Sequence, residues 1–306
     1  MRVLVLGGNG FIGSHLVDEL LRRGDRVRVF DRFDNNKNAK KNNIDCRLGD
    51  FSDTSALAEA LHDIDVVYHL ISTTVPSTSN LDPVADIQGN LIATVQLLQQ
   101  MVCLNVKRIV FLSSGGTVYG NPSLVPVPET HPLNPICSYG IVKVAIEKYL
   151  NMFAELHGIK PLILRASNPY GPRQGHIGVQ GVIPTFLKRL VDGDSFHIWG
   201  DGSIVRDYIF IHDLVKLCLL AGDSGAVGAF NAGSGLGYSL LNIISAITEV
   251  SGRIPQVEYF TERKFDVKRV VLDMKKARDV FGWTPETSIE DGILSHWEWL
   301  LSVSEQ

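Results

Sequence analysis

The stretch that decides the fold is Val3-Leu4-Val5-Leu6-Gly7-Gly8-Asn9-Gly10-Phe11-Ile12-Gly13. Its four apolar residues read as a buried strand, and glycines at 7, 10 and 13 form a Gly-x-x-Gly-x-x-Gly turn leading into a helix. Glycine lets such a turn come close to a pyrophosphate, and the helix behind it offers unpaired N–H groups and the positive end of its dipole. Gly7, Gly10, Phe11, Ile12 and Gly13 are therefore candidate dinucleotide contacts. Far downstream stands Tyr139-x-x-x-Lys143. Four-residue spacing puts both side chains on one helical face, where an ammonium holds a phenol ready to lose its proton. Together the two motifs point to a nicotinamide-dependent enzyme.

Working outward, strand-like runs at 2–6, 26–30, 44–48, 64–70, 107–113 and 161–165 alternate with helical patterns beginning near 11, 53, 82 and 138. That order predicts an α/β fold, a Rossmann-type doubly wound parallel sheet covered on both faces. Residues 1–166 are read as the NAD-binding domain, with 208–235 returning to it. Beyond Asn168-Pro169-Tyr170-Gly171-Pro172 the alternation breaks up, and 167–306 is read mainly as a smaller C-terminal substrate-binding lobe. Segment 32–43, rich in Asn and Lys, reads as a solvated connection. Asp31 follows Gly13 by 18 residues at the end of Val27-Arg28-Val29-Phe30, where a carboxylate accepts both adenosine ribose hydroxyls and repels a 2′-phosphate. The expected cofactor is NAD.

Composition narrows the function further. The 306 residues carry 29 basic and 33 acidic side chains spread along the chain, for a net charge of −4, so no nucleic-acid footprint is expected. No apolar run approaches a membrane span. Cys46, Cys103, Cys137 and Cys218 lack C-x-x-C spacing and read as free thiols in a reducing, cytoplasmic setting. The nine histidines show no metal-ligand spacing, and no metal is expected.

These residues together resemble the extended short-chain dehydrogenase/reductases of the nucleotide-sugar epimerase and dehydratase group, nearest the UDP-hexose 4-epimerases. The resemblance covers nearly the whole chain and runs through Gly7-x-x-Gly10-x-x-Gly13, Gly49-Asp50-Phe51, His69-Leu70, Asn90, Ser113-Ser114, Val118-Tyr119-Gly120, Tyr139-x-x-x-Lys143, Asn168-Pro-Tyr-Gly-Pro, Arg206-Asp207-Tyr208 and Arg263-x-x-Asp266. It implies that Asp50 and Phe51 flank the adenine, that Leu70, Ile71 and Ser72 line the cofactor path beside Ser113, and that Asn90 supports the active-site helix. For a UDP-sugar substrate it implies Asn168 and Tyr208 near the diphosphate and sugar, Val182 and Trp199 beside the uracil, Arg206 and Arg263 on the phosphates, and Asp266 on the uridine ribose. Tyr139 is then the base and acid at the sugar 4-hydroxyl, its pKa depressed by Lys143 and the nicotinamide. A homodimer through helices 82–103 and 138–157 is also implied.

The chain departs from the family at Gly115, where a Ser or Thr usually bonds the 4-oxygen; Ser114 and Thr117 flank the gap, and Thr117 is the preferred replacement. Gly116 and Thr117 occupy the places of the dehydratases' Asp-Glu pair, which disfavours dehydration. A 4-ketoreductase remains the enzymatic alternative, and a dinucleotide-binding sensor or scaffold the non-enzymatic one. Val270 stands where restrictive epimerases carry an aromatic, which suggests space for an N-acetylated sugar. Arg165 and His176 are open candidates for meeting a uronate.

Overall fold

The computed structural model describes residues 1–33, 44–175, 181–262 and 267–304. Arg263, Asp266 and His176 lie outside them, as does most of segment 32–43. In chain order the elements are β1 (Arg2–Leu6), α1 (Phe11–Arg22), β2 (Arg26–Asp31), β3 (Ile44–Leu48), α2 (Thr54–Leu61), β4 (Val66–His69), α3 (Pro83–Asp86), a π-helical turn (Ile87–Ile92), α4 (Ala93–Cys103), β5 (Arg108–Ser114), α5 (Ser138–His157), β6 (Lys160–Ala166) and β7 (Asn168–Tyr170). There follow α6 (Val182–Asp192), β8 (Phe196–Trp199), β9 (Val205–Arg206), β10 (Tyr208–Phe210), α7 (Ile211–Asp223), β11 (Gly228–Ala232), β12 (Tyr238–Ser239), α8 (Leu240–Ser251), β13 (Val257–Phe260), β14 (Arg269–Val270), α9 (Lys275–Phe281) and α10 (Ile289–Ser304).

Seven parallel strands form the main sheet in the order β11-β6-β5-β4-β1-β2-β3. This is the doubly wound arrangement expected from the alternation in the first half of the sequence. Successive β1 residues face opposite sides, and Val3 to Leu6 are all buried: Val3 and Val5 pack into one core with Leu16 of α1 and Leu214 of α7, while Leu4 and Leu6 pack into another with Leu57, Leu97 and Ile146. A strand buried on both faces has no polar side, which is why 3–6 reads as an unbroken apolar run. Strand order reverses between β1 and β4, and the carboxyl ends of those strands open the crevice where such sheets take ligands.

The expected single helix over 82–103 is three pieces. A π-helical turn separates α3 from α4, and inside it Asn90 is buried and hydrogen-bonded rather than solvent-facing. Beyond β6 the chain builds small pairings: β10 with β7, β13 with β8, and β12-β9-β14. Asp207, between β9 and β10, gathers this region. Its enclosed carboxylate accepts bonds from the backbone N–H groups of Ser234, Gly235 and Leu272 and from the Ser234 hydroxyl.

Candidate active site

The glycine turn leaves β1 at the crevice. Gly7 has φ +84°, a left-handed conformation that glycine adopts without steric cost, and a Cβ there would stand 3.2 Å from Ile71 at the exit of β4. At Gly13 a Cβ would lie 2.1 Å from the Gly7 carbonyl oxygen, so only glycine closes this turn. Gly10 caps α1 with no side-chain hydrogen bond, leaving the helix end open to an anion. Phe11 and Ile12 are half-buried against the core. The Asp31 carboxylate bonds the N–H of Asn9 at 2.9 Å and that of Arg32 at 2.7 Å, which fixes it beside the turn. Arg32 in turn pairs with Asp50 at 2.7 Å, so the guanidinium nearest Asp31 is already answered by a carboxylate. The cradle suits NAD, with Asp31 beside the turn and Arg32 tied to Asp50 rather than offered to a 2′-phosphate.

Not every expected cofactor contact faces the crevice. The Phe51 ring is buried, 5.0 Å from the His69 ring, whereas Asp50 is exposed. Ser113 turns its hydroxyl inward to Glu147 at 2.6 Å. Asn90 accepts the Thr73 N–H at 2.9 Å and donates to Asp86 at 2.9 Å, supporting the loop after β4. In that loop Leu70 and Ile71 are half-buried, while Ser72 is exposed and hydrogen-bonded to the Tyr139 side chain.

Tyr139 and Lys143 occupy the first turns of α5 as their spacing requires. The Lys143 ammonium donates to the Leu112 carbonyl at 2.9 Å and sits 5.5 Å from the centre of the Tyr139 ring. Burial lowers the Lys143 pKa to about 8 against the opposing charges of Glu147 and Asp86. The expected depression of Tyr139 is not what the protein's own groups produce. Burial pushes the phenol up to about 12; the Ser72 bond works against this, and the charges of Cys137 and Asp86 reinforce it.

The two hydroxyls around Gly115 differ sharply. The Thr117 Oγ1 is wholly enclosed, with no hydrogen-bond partner among the described residues, and its Cβ lies 3.3 Å from where a Cβ on Gly140 would be. Ser114 ends β5 and keeps part of its side chain exposed. A Cβ at Gly115 would fall 2.6 Å from Leu272 and 2.8 Å from the Arg165 carbonyl oxygen, which explains why this position has no side chain. Arg165 itself is buried against Glu147 at 2.6 Å and is not available to a uronate.

Beyond β6, Asn168 holds β10 to β7 by donating to the Asp207 carbonyl at 2.7 Å. Val182 opens α6 and is half-buried, and Trp199 stacks on Phe260 with ring centres 5.7 Å apart. Arg206 is half-buried on β9, opposite Val270 on β14. Tyr208 corrects an expectation: only 6% exposed and packed edge-on to Tyr170, its ring belongs to the core and not to a substrate surface. Sequence reasoning missed Asp86, Ser79 and Asn80, which bond the start of α5, and Glu147 beneath it. Glu147 was within reach, since it extends the Tyr139–Lys143 face by another four residues; the others come from α3 and the turn before it, more than fifty residues away.

The model of the NAD dependent epimerase/dehydratase family matches residues 3–233. The chain is 36% identical over 315 residues to a UDP-glucose 4-epimerase of Mycolicibacterium smegmatis, covering 100% of each. It is 35% identical over 302 residues to a dTDP-4-dehydro-6-deoxyglucose reductase of Escherichia coli, covering 95% of each. Among solved structures it resembles a Thermotoga maritima UDP-glucose 4-epimerase with UDP-glucose at a TM-score of 0.94 and 36% identity, covering 99% of this chain and 100% of that one. With the glycine cradle, Asp31 and the Tyr139–Lys143 pair at one crevice, the chain belongs to the NAD dependent epimerase/dehydratase family.

Proposed function

We propose that the protein is an NAD-dependent epimerase that inverts carbon 4 of a UDP-hexose through a transient 4-keto sugar. The observation that carries this reading is Tyr139 at the crevice, touched by Ser72 and backed by the Lys143 ammonium. Gly7, Gly10, Gly13 and Asp31 hold the cofactor. NAD supplies the acceptor, and then the donor, of a hydride at carbon 4. Tyr139 removes the proton of the 4-hydroxyl and later returns it. Lys143, charged below a pKa of about 8, keeps its ammonium near the phenol and favours the ionised form as it develops. Ser114 rather than Thr117 bonds the 4-oxygen, because an enclosed hydroxyl cannot reach a substrate. Arg206, with Arg263, neutralises the diphosphate, Trp199 borders the uracil, and Asp266 takes the ribose. Val270 is only 3% exposed and packs in the core with Leu272, so it does not itself open space for an acetamido group at carbon 2.

The test incubates purified protein with UDP-glucose, UDP-N-acetylglucosamine and their uronates, follows products by NMR without added cofactor, and identifies the dinucleotide released on denaturation. Inversion at carbon 4 supported by bound NAD alone is the expected outcome. The reductase relative at 35% identity favours a second reading, a nucleotide-sugar 4-ketoreductase. That reading requires consumption of added NADH or NADPH with a 4-keto sugar and no inversion without it.

The functional unit is a homodimer. Leu81, Val84, Ile87 and Ile92 near the π turn and Ile141, Tyr149, Met152 and Leu156 along α5 are exposed apolar side chains, Leu81 at 83% and Leu156 at 66%. A second copy covering these helices buries them. Sedimentation at micromolar concentration is expected to give the mass of two chains; the mass of one overturns the dimer. Four free thiols, two of them exposed, suit a reducing cytoplasm. Among the described residues no helix is long and apolar enough to cross a membrane.

A further inference from the structure

The first turn of α5 is held from outside. Its N-cap residue, Cys137, contributes no side-chain hydrogen bond. Instead the Tyr139 N–H donates to the buried Ser79 hydroxyl at 3.1 Å, and the Ser138 N–H donates to Asn80 at 2.9 Å. The Ser138 hydroxyl donates to Asp86 at 2.6 Å.

Asp86 has no exposed surface. Besides Ser138 it accepts the Thr74 hydroxyl at 2.7 Å and the Asn90 amide at 2.9 Å. Among the described residues no lysine or arginine forms an ion pair with it. Asn90 also accepts the Thr73 N–H at 2.9 Å. One carboxylate thus ties the residue before Tyr139 to the loop that carries Ser72, the group bonded to the Tyr139 phenol. Enclosing a charge with no cation in direct contact is costly.

We propose that Asp86 is a positioning residue for proton transfer at Tyr139, fixing the first turn of α5 against the Ser72 loop and governing through its buried charge how readily the phenol gives up its proton. The proposal rests on Tyr139 being the acid and base of the reaction. The charge acts on a defined set of groups. Tyr139 faces Asp86, Cys137, the Ser72 hydroxyl and the Lys143 ammonium; Lys143 also faces Asp86, Glu147 of its own helix and His69 at the end of β4. A negative charge at 86 favours the neutral phenol and the charged ammonium, so its removal lowers both pKa values.

Asp86→Asn keeps the shape and removes the charge. Measured on the holoenzyme with the epimerised sugar, both limbs of the kcat–pH profile are expected to move to lower pH by about half a unit or more. The plateau kcat is expected to fall about tenfold, with KM held within about threefold, because alignment rather than binding is disturbed. Limbs that stay within about 0.2 unit of the wild type overturn the proposal, whatever the plateau does. If Asp86→Asn does not fold, Thr74→Val and Ser138→Ala carry the test. Each cuts one tie while keeping the charge, and is expected to lower kcat at constant KM; wild-type kcat in both overturns the positioning role. Tyr139→Phe run in parallel separates the two levels. Its turnover overturns the acid–base reading and this proposal with it, whereas an inactive Tyr139→Phe beside an unmoved Asp86→Asn profile overturns this proposal alone.

Discussion

Tyr139→Phe is expected to lower the epimerisation kcat by about 10³-fold, within the range lost when a positioned general acid or base is removed. Binding of NAD and UDP-sugar should change little, because the substitution deletes one oxygen and the glycine turn, Asp31 and Arg206 lie on other elements. The size of the effect follows from the surroundings. With the phenol pushed up to about 12 by burial, a bulk-water replacement finds neither the Ser72 contact nor the Lys143 ammonium 5.5 Å from the ring. Isothermal titration with UDP-glucose beside NMR turnover checks both halves. Retained catalysis removes Tyr139 from the mechanism; lost binding removes the separation of roles. The same pair of measurements decides against a sensor or scaffold, since such a protein binds equally well before and after the substitution and turns over in neither form.

The second large effect is on stability. Arg165→Met is expected to destabilise the fold by about 3–5 kcal/mol, the range found when one partner of a buried ion pair is removed. Arg165 and Glu147 have side chains only 7% and 3% exposed and meet at 2.6 Å. Arg165 also donates to the Tyr119 hydroxyl at 3.0 Å and the Glu129 carbonyl at 3.1 Å, and the Tyr119 hydroxyl donates to Asn231 at 2.7 Å. Burial works against the guanidinium's charge, but the bonds to Glu147 outweigh it and hold its pKa above the ordinary value. Without Arg165 the Glu147 carboxylate keeps only Ser113 among these donors. Denaturant midpoints at constant slope measure the loss. Adding Glu147→Leu to Arg165→Met is expected to recover much of it, because the stranded charge and not the missing attraction carries most of the cost. A double variant no more stable than the single one contradicts that account.

The Arg165 case also shows how far a sequence reads. As a lone arginine at the end of an apolar run, it was equally open to a substrate or a structural role. Only the contact with Glu147, 18 positions away across α5 and β6, decides it. Thr117 and Ser114 divide in the same way: both are hydroxyls beside Gly115, and the packing of Gly140 over Thr117 leaves Ser114 as the one with open surface.

What the sequence determined by itself is what depends on neighbours along the chain. The unbroken apolar run of β1, the glycine turn, Asp31 at the end of β2 and the four-residue spacing of Tyr139 and Lys143 are set by backbone sterics and by strand and helix periods acting within a few residues. These were enough for the doubly wound sheet and its cofactor. Tertiary structure decided which polar groups face the crevice and which serve the interior. Phe51, Ser113 and Tyr208 turned inward, and Asp86 came to lie against the start of α5 from 52 positions away. The physical reason is that burial and charge act through space: a side chain's solvation, and with it the pKa of Tyr139 and Lys143, is set by whatever folds against it, and no local period records that.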